Sequence, residues 1–157
     1  MFSNANLSSL SGEIALNQRT LTVDKKIGEG GFAFVYLVAT SSLPNGGGGM
    51  NFDSNGQNGP TERFCLKASS IQNEEAKKIS ETEVNILRKC VDHPNIVTLI
   101  DFQLRPSGRG RMDHLILMEY MSGGHMFGVI EAMSKKKQSW DPNQLVRSFG
   151  QICLGVK

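Results

Sequence analysis

No stretch of the sequence is long and apolar enough to cross a bilayer. The longest apolar run goes only from Phe32 to Ala39, far short of the ~20 residues that a spanning helix needs. The N-terminus, MFSNANLSSLSGEIAL, lacks a basic stretch followed by a continuous apolar one, so it does not read as a secretory signal. Cysteine is scarce: Cys65, Cys90 and Cys153 are far apart and form no C-x-x-C pair. The histidines His93, His114 and His125 show no ligand spacing either. This pattern fits reduced thiols and leaves no clustered ligand set for structural zinc, so no metal site is expected. A net charge of +2 gives no argument for nucleic acid or a membrane surface as partner. A cytoplasmic protein is the expectation.

The composition is that of an ordinary globular chain, with 39% apolar and 20% charged residues in a length of 157 that allows one domain with a real core. Residues 1–18 are rich in Ser and Asn and are expected to be loose. RTLTVDKKI (19–27) alternates as a strand, with Leu21, Val23 and Ile27 on its structured side. FAFVYLVAT (32–40) and ERFCLKAS (62–69) read as the next two strands. Between them, residues 41–61 form a low-complexity Gly/Asn/Ser segment, read as a linker-like insertion in a hairpin.

NEEAKKISETEVNILRKC (73–90) reads as a helix with Asn73 as N-cap and Glu74 and Glu75 at the positive end of its dipole. Ile79, Ile86, Leu87 and Cys90 are expected on its inner face. Glu83 lies four residues from both Ile79 and Leu87 and therefore points inward with them, where a carboxylate needs a cationic partner. IVTLIDFQL (96–104) and HLILMEYM (114–121) read as two more strands joined by a polar turn. A break at SGG (122–124) precedes a helix over 125–137. A final helix starts at Asp141 (N-cap) and Pro142, with Gln144 completing a capping box. Leu145, Phe149, Ile152 and Val156 then line one face. The fold class is α+β.

The stretch KKIGEGGFAFVYLV (25–38) carries the first functional hint. A dinucleotide fingerprint would need a helix after the glycines, and a phosphate-binding P-loop would need G-K-[ST]; here a strand follows and no G-K-[ST] occurs. Alone, the glycines fit a plain hairpin. The strand FCLKA alters that reading, because period-two alternation turns Cys65 and Lys67 to the same face. Glu83, sixteen residues after Lys67, points inward from the helix. Strand lysine and helix glutamate are expected to pair beneath the glycine-rich loop, with Lys67 free to hold phosphate oxygens and Glu83 orienting it.

In this order, I-G-E-G-G-F-A-F-V-Y (27–36), C-L-K (65–67), E-V-N-I-L (83–87), H-P-N-I-V (93–97) and L-M-E-Y-M-S-G-G (117–124) resemble the N-terminal lobe of a protein kinase. The likeness covers residues 19–157. More narrowly, E-G-G-F-A-F-V-Y, with Ala33 at the third glycine position, and D-P-N-Q-L-V-R-S-F-G-Q-I-C-L-G-V are similar to the Numb-associated serine/threonine kinases, which include the adaptor-associated and cyclin-G-associated kinases. The resemblance implies a five-stranded antiparallel sheet with one αC-type helix over residues 19–121. A hinge and two helices of an incomplete C-lobe would follow over 122–157.

It also implies roles. Gly28, Glu29, Gly30, Gly31 and Ala33 form the loop over the phosphates of ATP, and Phe32 caps its tip. Ile27, Val35 and Cys65 enclose the adenine, and Met118 is the gatekeeper. The Glu119 carbonyl and Met121 amide meet the adenine edge, and Lys67 contacts the α- and β-phosphates while pairing with Glu83. Cys65 departs from the usual alanine.

ATP and Mg are the implied cofactors. The magnesium ligands and the catalytic Asp belong to His-Arg-Asp and Asp-Phe-Gly motifs, which do not occur in residues 1–157. The expectation is a part of a serine/threonine kinase that is inactive alone, with no catalytic set beyond the Lys67–Glu83 pair. Family resemblance suggests clathrin-adaptor subunits as protein substrates and a membrane-peripheral role in endocytic traffic. The alternatives left open are a non-catalytic regulatory module and a β-rich domain without nucleotide binding.

Overall fold

A computed structural model of the chain describes residues 7–31, 33–40, 62–108 and 110–157. The expectations for Phe32 and for the insertion 41–61 lie outside these residues. A short 3-10 turn, Leu7–Ser9, leads into β1 (Gly12–Leu16), β2 (Arg19–Glu29), β3 (Ala33–Thr40) and β4 (Arg63–Ile71). Helix α1 (Glu74–Lys89) then connects to β5 (Leu99–Gly108) and β6 (Arg111–Glu119), followed by α2 (Met126–Lys135) and α3 (Pro142–Gly155). The strands form one six-stranded sheet in the order β1-β2-β3-β4-β6-β5, and every pairing in it is antiparallel.

Alternation divides this sheet into two working faces. Tyr36 and Val38 of β3, Phe64, Leu66 and Ala68 of β4, and Leu115 and Leu117 of β6 share one face. They form a single buried cluster with Leu7, Leu10, Ile14, Leu16 and Leu21. The residues that alternate with them along the strands, including Val35, Cys65, Lys67, Ile116 and Met118, belong to the opposite face. The core therefore stiffens the sheet from behind and leaves the front for the site.

Five strands are expected from the sequence; the sixth is β1, within the leading segment expected to be loose. Its hairpin has a two-residue connection, since Leu16 pairs with Arg19. Asn17 takes a φ of 52° there, a left-handed conformation that asparagine tolerates better than most residues. The Asn17 amide donates to Asp101 Oδ1 at 2.8 Å and to the Phe102 carbonyl at 3.0 Å. Arg19 Nε lies 3.6 Å from Asp101 Oδ2. The first hairpin thus reaches β5, at the other end of the strand order, and the sheet curls toward itself.

Other differences have local causes. Register shifts between Val23 and Lys25 and between Lys26 and Gly28 put bulges in β2. Alternation therefore breaks after Val23, and Ile27, expected on the structured side, is 39% exposed. The turn expected between the last two strands is largely ladder, because pairing continues through Arg105–Asp113, Pro106–Met112 and Gly108–Arg111. An Arg105–Asp113 ion pair at 3.5 Å reinforces that extension.

Helix α1 starts as expected, with Asn73 Oδ1 accepting from the Ala76 amide at 2.8 Å. Its inner face is rotated from the expected one. Ser80 and Val84 are buried, and Leu87 and Cys90 are half-buried as expected, whereas Ile79 is 64% and Ile86 56% exposed. An apolar pattern ranks isoleucine above serine, but Ser80 is satisfied inside by a histidine on the sheet and can occupy the inner face.

The leading segment is clasped by Tyr36. Its hydroxyl donates to the Leu7 carbonyl at 2.6 Å and accepts from the Leu10 amide at 3.3 Å, with the side chain only 1% exposed. Tyr36→Phe strands both backbone groups and is expected to destabilise the chain by about 1–3 kcal/mol, read as a lower urea midpoint. An unchanged midpoint would show that this clasp contributes no stability.

Candidate functional site

The front face is laid out in rows by the ladder register. Gly28 of β2 pairs with Val35 of β3, Val35 with Lys67 of β4, Lys67 with Ile116 of β6, and Ile116 with Phe102 of β5. The next row runs Leu37, Cys65, Met118 and Leu99. Lys67 therefore lies two strands from the glycine-rich turn, in the same row as Gly28. A Cβ on Gly28 would sit 3.4 Å from the Cβ of Val35, so glycine keeps clear the space over that row. The turn is closed by the Gly30 amide donating to the Ala33 carbonyl at 2.9 Å, with Gly30 and Gly31 exposed.

Lys67 Nζ donates to Glu83 Oε1 at 2.5 Å, joining β4 to α1 across sixteen residues. The side chains are 29% and 35% exposed, so both charges remain reachable from solvent. Lys26 Nζ meets Glu29 Oε2 at 2.7 Å. This hydrogen bond to Glu29 raises the Lys26 pKa, and Glu29 thus stands in an exposed ion pair on β2.

Toward the end of β6 the chain is held by Glu119. Its carboxylate Oε1 accepts from the Thr98 amide at 2.6 Å, and its own amide donates to the Thr98 carbonyl at 3.1 Å. Met118, expected as gatekeeper, pairs with Cys65 on β4 and Leu99 on β5. Burial raises the Cys65 thiol pKa, which suits a small apolar lining better than a nucleophile. Met121, just beyond the strand, is 53% exposed.

Ile27, Gly28, Val35, Cys65, Lys67, Glu83 and Met118 thus lie on adjoining strands and α1. Phe32 is outside the described residues. A cavity of about 650 Å³ lies between loop 92–98, Glu119, Met121 and helices α2 and α3; neither Lys67 nor the glycines line it. Among the described residues no group of three or more His, Cys, Asp or Glu is placed to hold a metal ion.

Two polar features escape a reading of the sequence. One is the Glu119 clasp, whose signal would have been a charged residue directly after the apolar run LILM. The other is the hydrogen bond between Ser80 Oγ and His114 Nδ1, with Ser80 7% and His114 1% exposed. The signal there was a histidine entering the same run.

Comparison with known proteins adds family evidence. The model of the family described as protein tyrosine and serine/threonine kinase matches residues 21–157. Two probable serine/threonine-protein kinases of Dictyostelium discoideum are similar to the chain: one is 29% identical over 132 residues and the other 30% identical over 142. These alignments take in 84% and 90% of this chain but only 10% and 15% of those proteins. The serine/threonine-protein kinase sel-5 of Caenorhabditis elegans is 26% identical over 147 residues, covering 91% of this chain and 12% of that protein.

Burial lowers the His114 pKa below its ordinary value of 6.5; Glu83 raises it, Lys67 lowers it and Glu81 raises it by smaller amounts. A base whose pKa is lower folded than unfolded takes up more protons in the unfolded state as the pH falls. Stability is therefore lost as the pH drops through 6.5 toward the folded-state pKa. The melting temperature of the wild-type chain is expected to fall across that window more steeply than that of His114→Leu. Parallel profiles would mean that His114 does not titrate in this way.

Proposed function

Since this chain belongs to the protein tyrosine and serine/threonine kinase family, we propose that its residues form the ATP-positioning part of a serine/threonine protein kinase. The observation that carries the proposal is the Lys67–Glu83 contact at 2.5 Å, in the row that begins at Gly28. An ammonium fixed by a carboxylate, on a face open to solvent and bordered by a glycine-rich turn, suits the binding of phosphate oxygens.

In this reading Lys67 holds the α- and β-phosphates and Glu83 sets its direction. The backbone of Gly28, Gly30 and Gly31 covers the phosphates. Ile27, Val35, Cys65 and Met118 form an apolar slot for the base, whose polar edge meets the backbone of Glu119 and Met121. Bound Mg-ATP supplies the γ-phosphoryl group for a protein hydroxyl.

Residues 1–157 contain no His-Arg-Asp or Asp-Phe-Gly sequence, so by themselves they bind nucleotide without transferring phosphate. The finer assignment to the Numb-associated group, with clathrin-adaptor subunits as substrates and a membrane-peripheral site of action, is supported by E-G-G-F-A-F-V-Y at 29–36 and by the segment from Asp141 to Val156.

Lys67→Met is expected to weaken binding of a non-hydrolysable ATP analogue by roughly 10- to 100-fold, the worth of a charge-assisted contact to phosphate. Titration calorimetry on the chain measures it, with circular dichroism to confirm an intact fold. Equal affinity in the two proteins would remove Lys67 from the nucleotide site.

A further inference from the structure

Helix α1 meets the sheet at a second polar contact one turn before Glu83. Ser80 and Glu83 are three residues apart, ~5 Å along one helix face. His114 and Ile116 are two residues apart on β6, ~7 Å on one strand face. Ile116 pairs with Lys67 and His114 with Ser69. The two contacts, Lys67–Glu83 and Ser80–His114, therefore run side by side between α1 and the sheet.

Apolar anchorage of α1 is thin. Val84 is its fully buried apolar residue and Leu87 is half-buried, while Ile79 and Ile86 face solvent. Arg88 adds a cation–π contact over Phe102 at 4.4 Å. A helix held mainly at Glu83 could roll about its axis and withdraw the carboxylate. A second buried hydrogen bond one turn away removes that freedom. Its loss would also leave a buried polar group without a partner, so the contact is costly to break.

We propose that His114 is a positioning residue that, through Ser80, fixes the roll of α1 and so keeps Glu83 on Lys67. The relevance to nucleotide rests on the kinase reading above; the positioning itself does not.

The test measures the reactivity of the Lys67 amine in the 157-residue chain, by competitive labelling with an amine-directed reagent and mass spectrometry, alongside the affinity for a non-hydrolysable ATP analogue. Both are read well below the melting temperature. His114→Leu and Ser80→Ala are expected to raise Lys67 labelling ~3- to 10-fold, the equivalent of one net hydrogen bond, and to weaken analogue binding in step. His114→Asn, which keeps a polar atom near the Nδ1 position, restores part of both. In a Glu83→Gln background, Ser80→Ala adds no further rise.

Unchanged Lys67 labelling in a folded but less stable Ser80→Ala chain would overturn the proposal and leave the contact a purely structural one. If His114→Leu does not fold, Ser80→Ala carries the same decision. A wild-type chain that binds no analogue but shows the labelling changes would keep the positioning role and refute the nucleotide reading. A wild-type chain that binds analogue, with neither readout moved by Ser80→Ala, would refute the positioning role alone.

Discussion

The Lys67–Glu83 ion pair sets the demands that the rest of the described architecture meets. A pair about one-third exposed adds little to stability, because water screens the attraction and holding two long side chains in one geometry costs conformational entropy. What it supplies is direction: an ammonium held at a fixed place on the sheet. That requires a strand that does not shift and a helix that does not roll. The buried cluster behind the sheet meets the first requirement, with Leu66 and Ala68 of β4 fully enclosed on either side of Lys67 in sequence. The polar contacts of α1 with β4 and β6 meet the second, since its apolar contribution is small.

The same division of labour explains the leading segment. Leu7, Leu10, Ile14 and Leu16 complete the cluster on the back face, and the Tyr36 hydroxyl ties the backbone of Leu7 and Leu10 to β3. Asn17 and Arg19 carry the hairpin to Asp101 on β5. Without this cover, Tyr36, Val38, Leu66 and Leu117 would lie open to water on the face opposite the site. Apolar surface remains elsewhere: α2 and α3 bury no residue, and Phe127, Phe149 and Val156 are 71%, 66% and 82% exposed.

Much of the candidate site's geometry was legible because it depends on short-range spacing. Strand alternation alone turned Lys67 to the same face as Cys65, and helical spacing placed Glu83 inward. Asn73 and Asp141 announced the starts of α1 and α3. What was not legible depended on tertiary partners. Ser80 took an inner position that pattern gives to Ile79, because His114 satisfies it. The bulges in β2 displaced Ile27, and no local signal in VDKKIG specifies them. Strand β1 carried a signal, the alternation of Ile14 and Leu16 before a two-residue turn at Asn17. A Ser- and Asn-rich context masked it. The prolongation of β5 and β6 through Pro106 also opposes local propensity and is supported by the Arg105–Asp113 pair.

The most direct test of the central claim, that this face is a nucleotide site organised around Lys67, is a backbone-amide NMR titration of the chain with a non-hydrolysable ATP analogue. The expected shifts concentrate at Gly28, Gly30, Gly31, Cys65, Lys67, Glu119 and Met121, with the back-face strands and Asn17 unmoved. Shifts confined to the cavity beside α3, or none at all at saturating analogue, would contradict it.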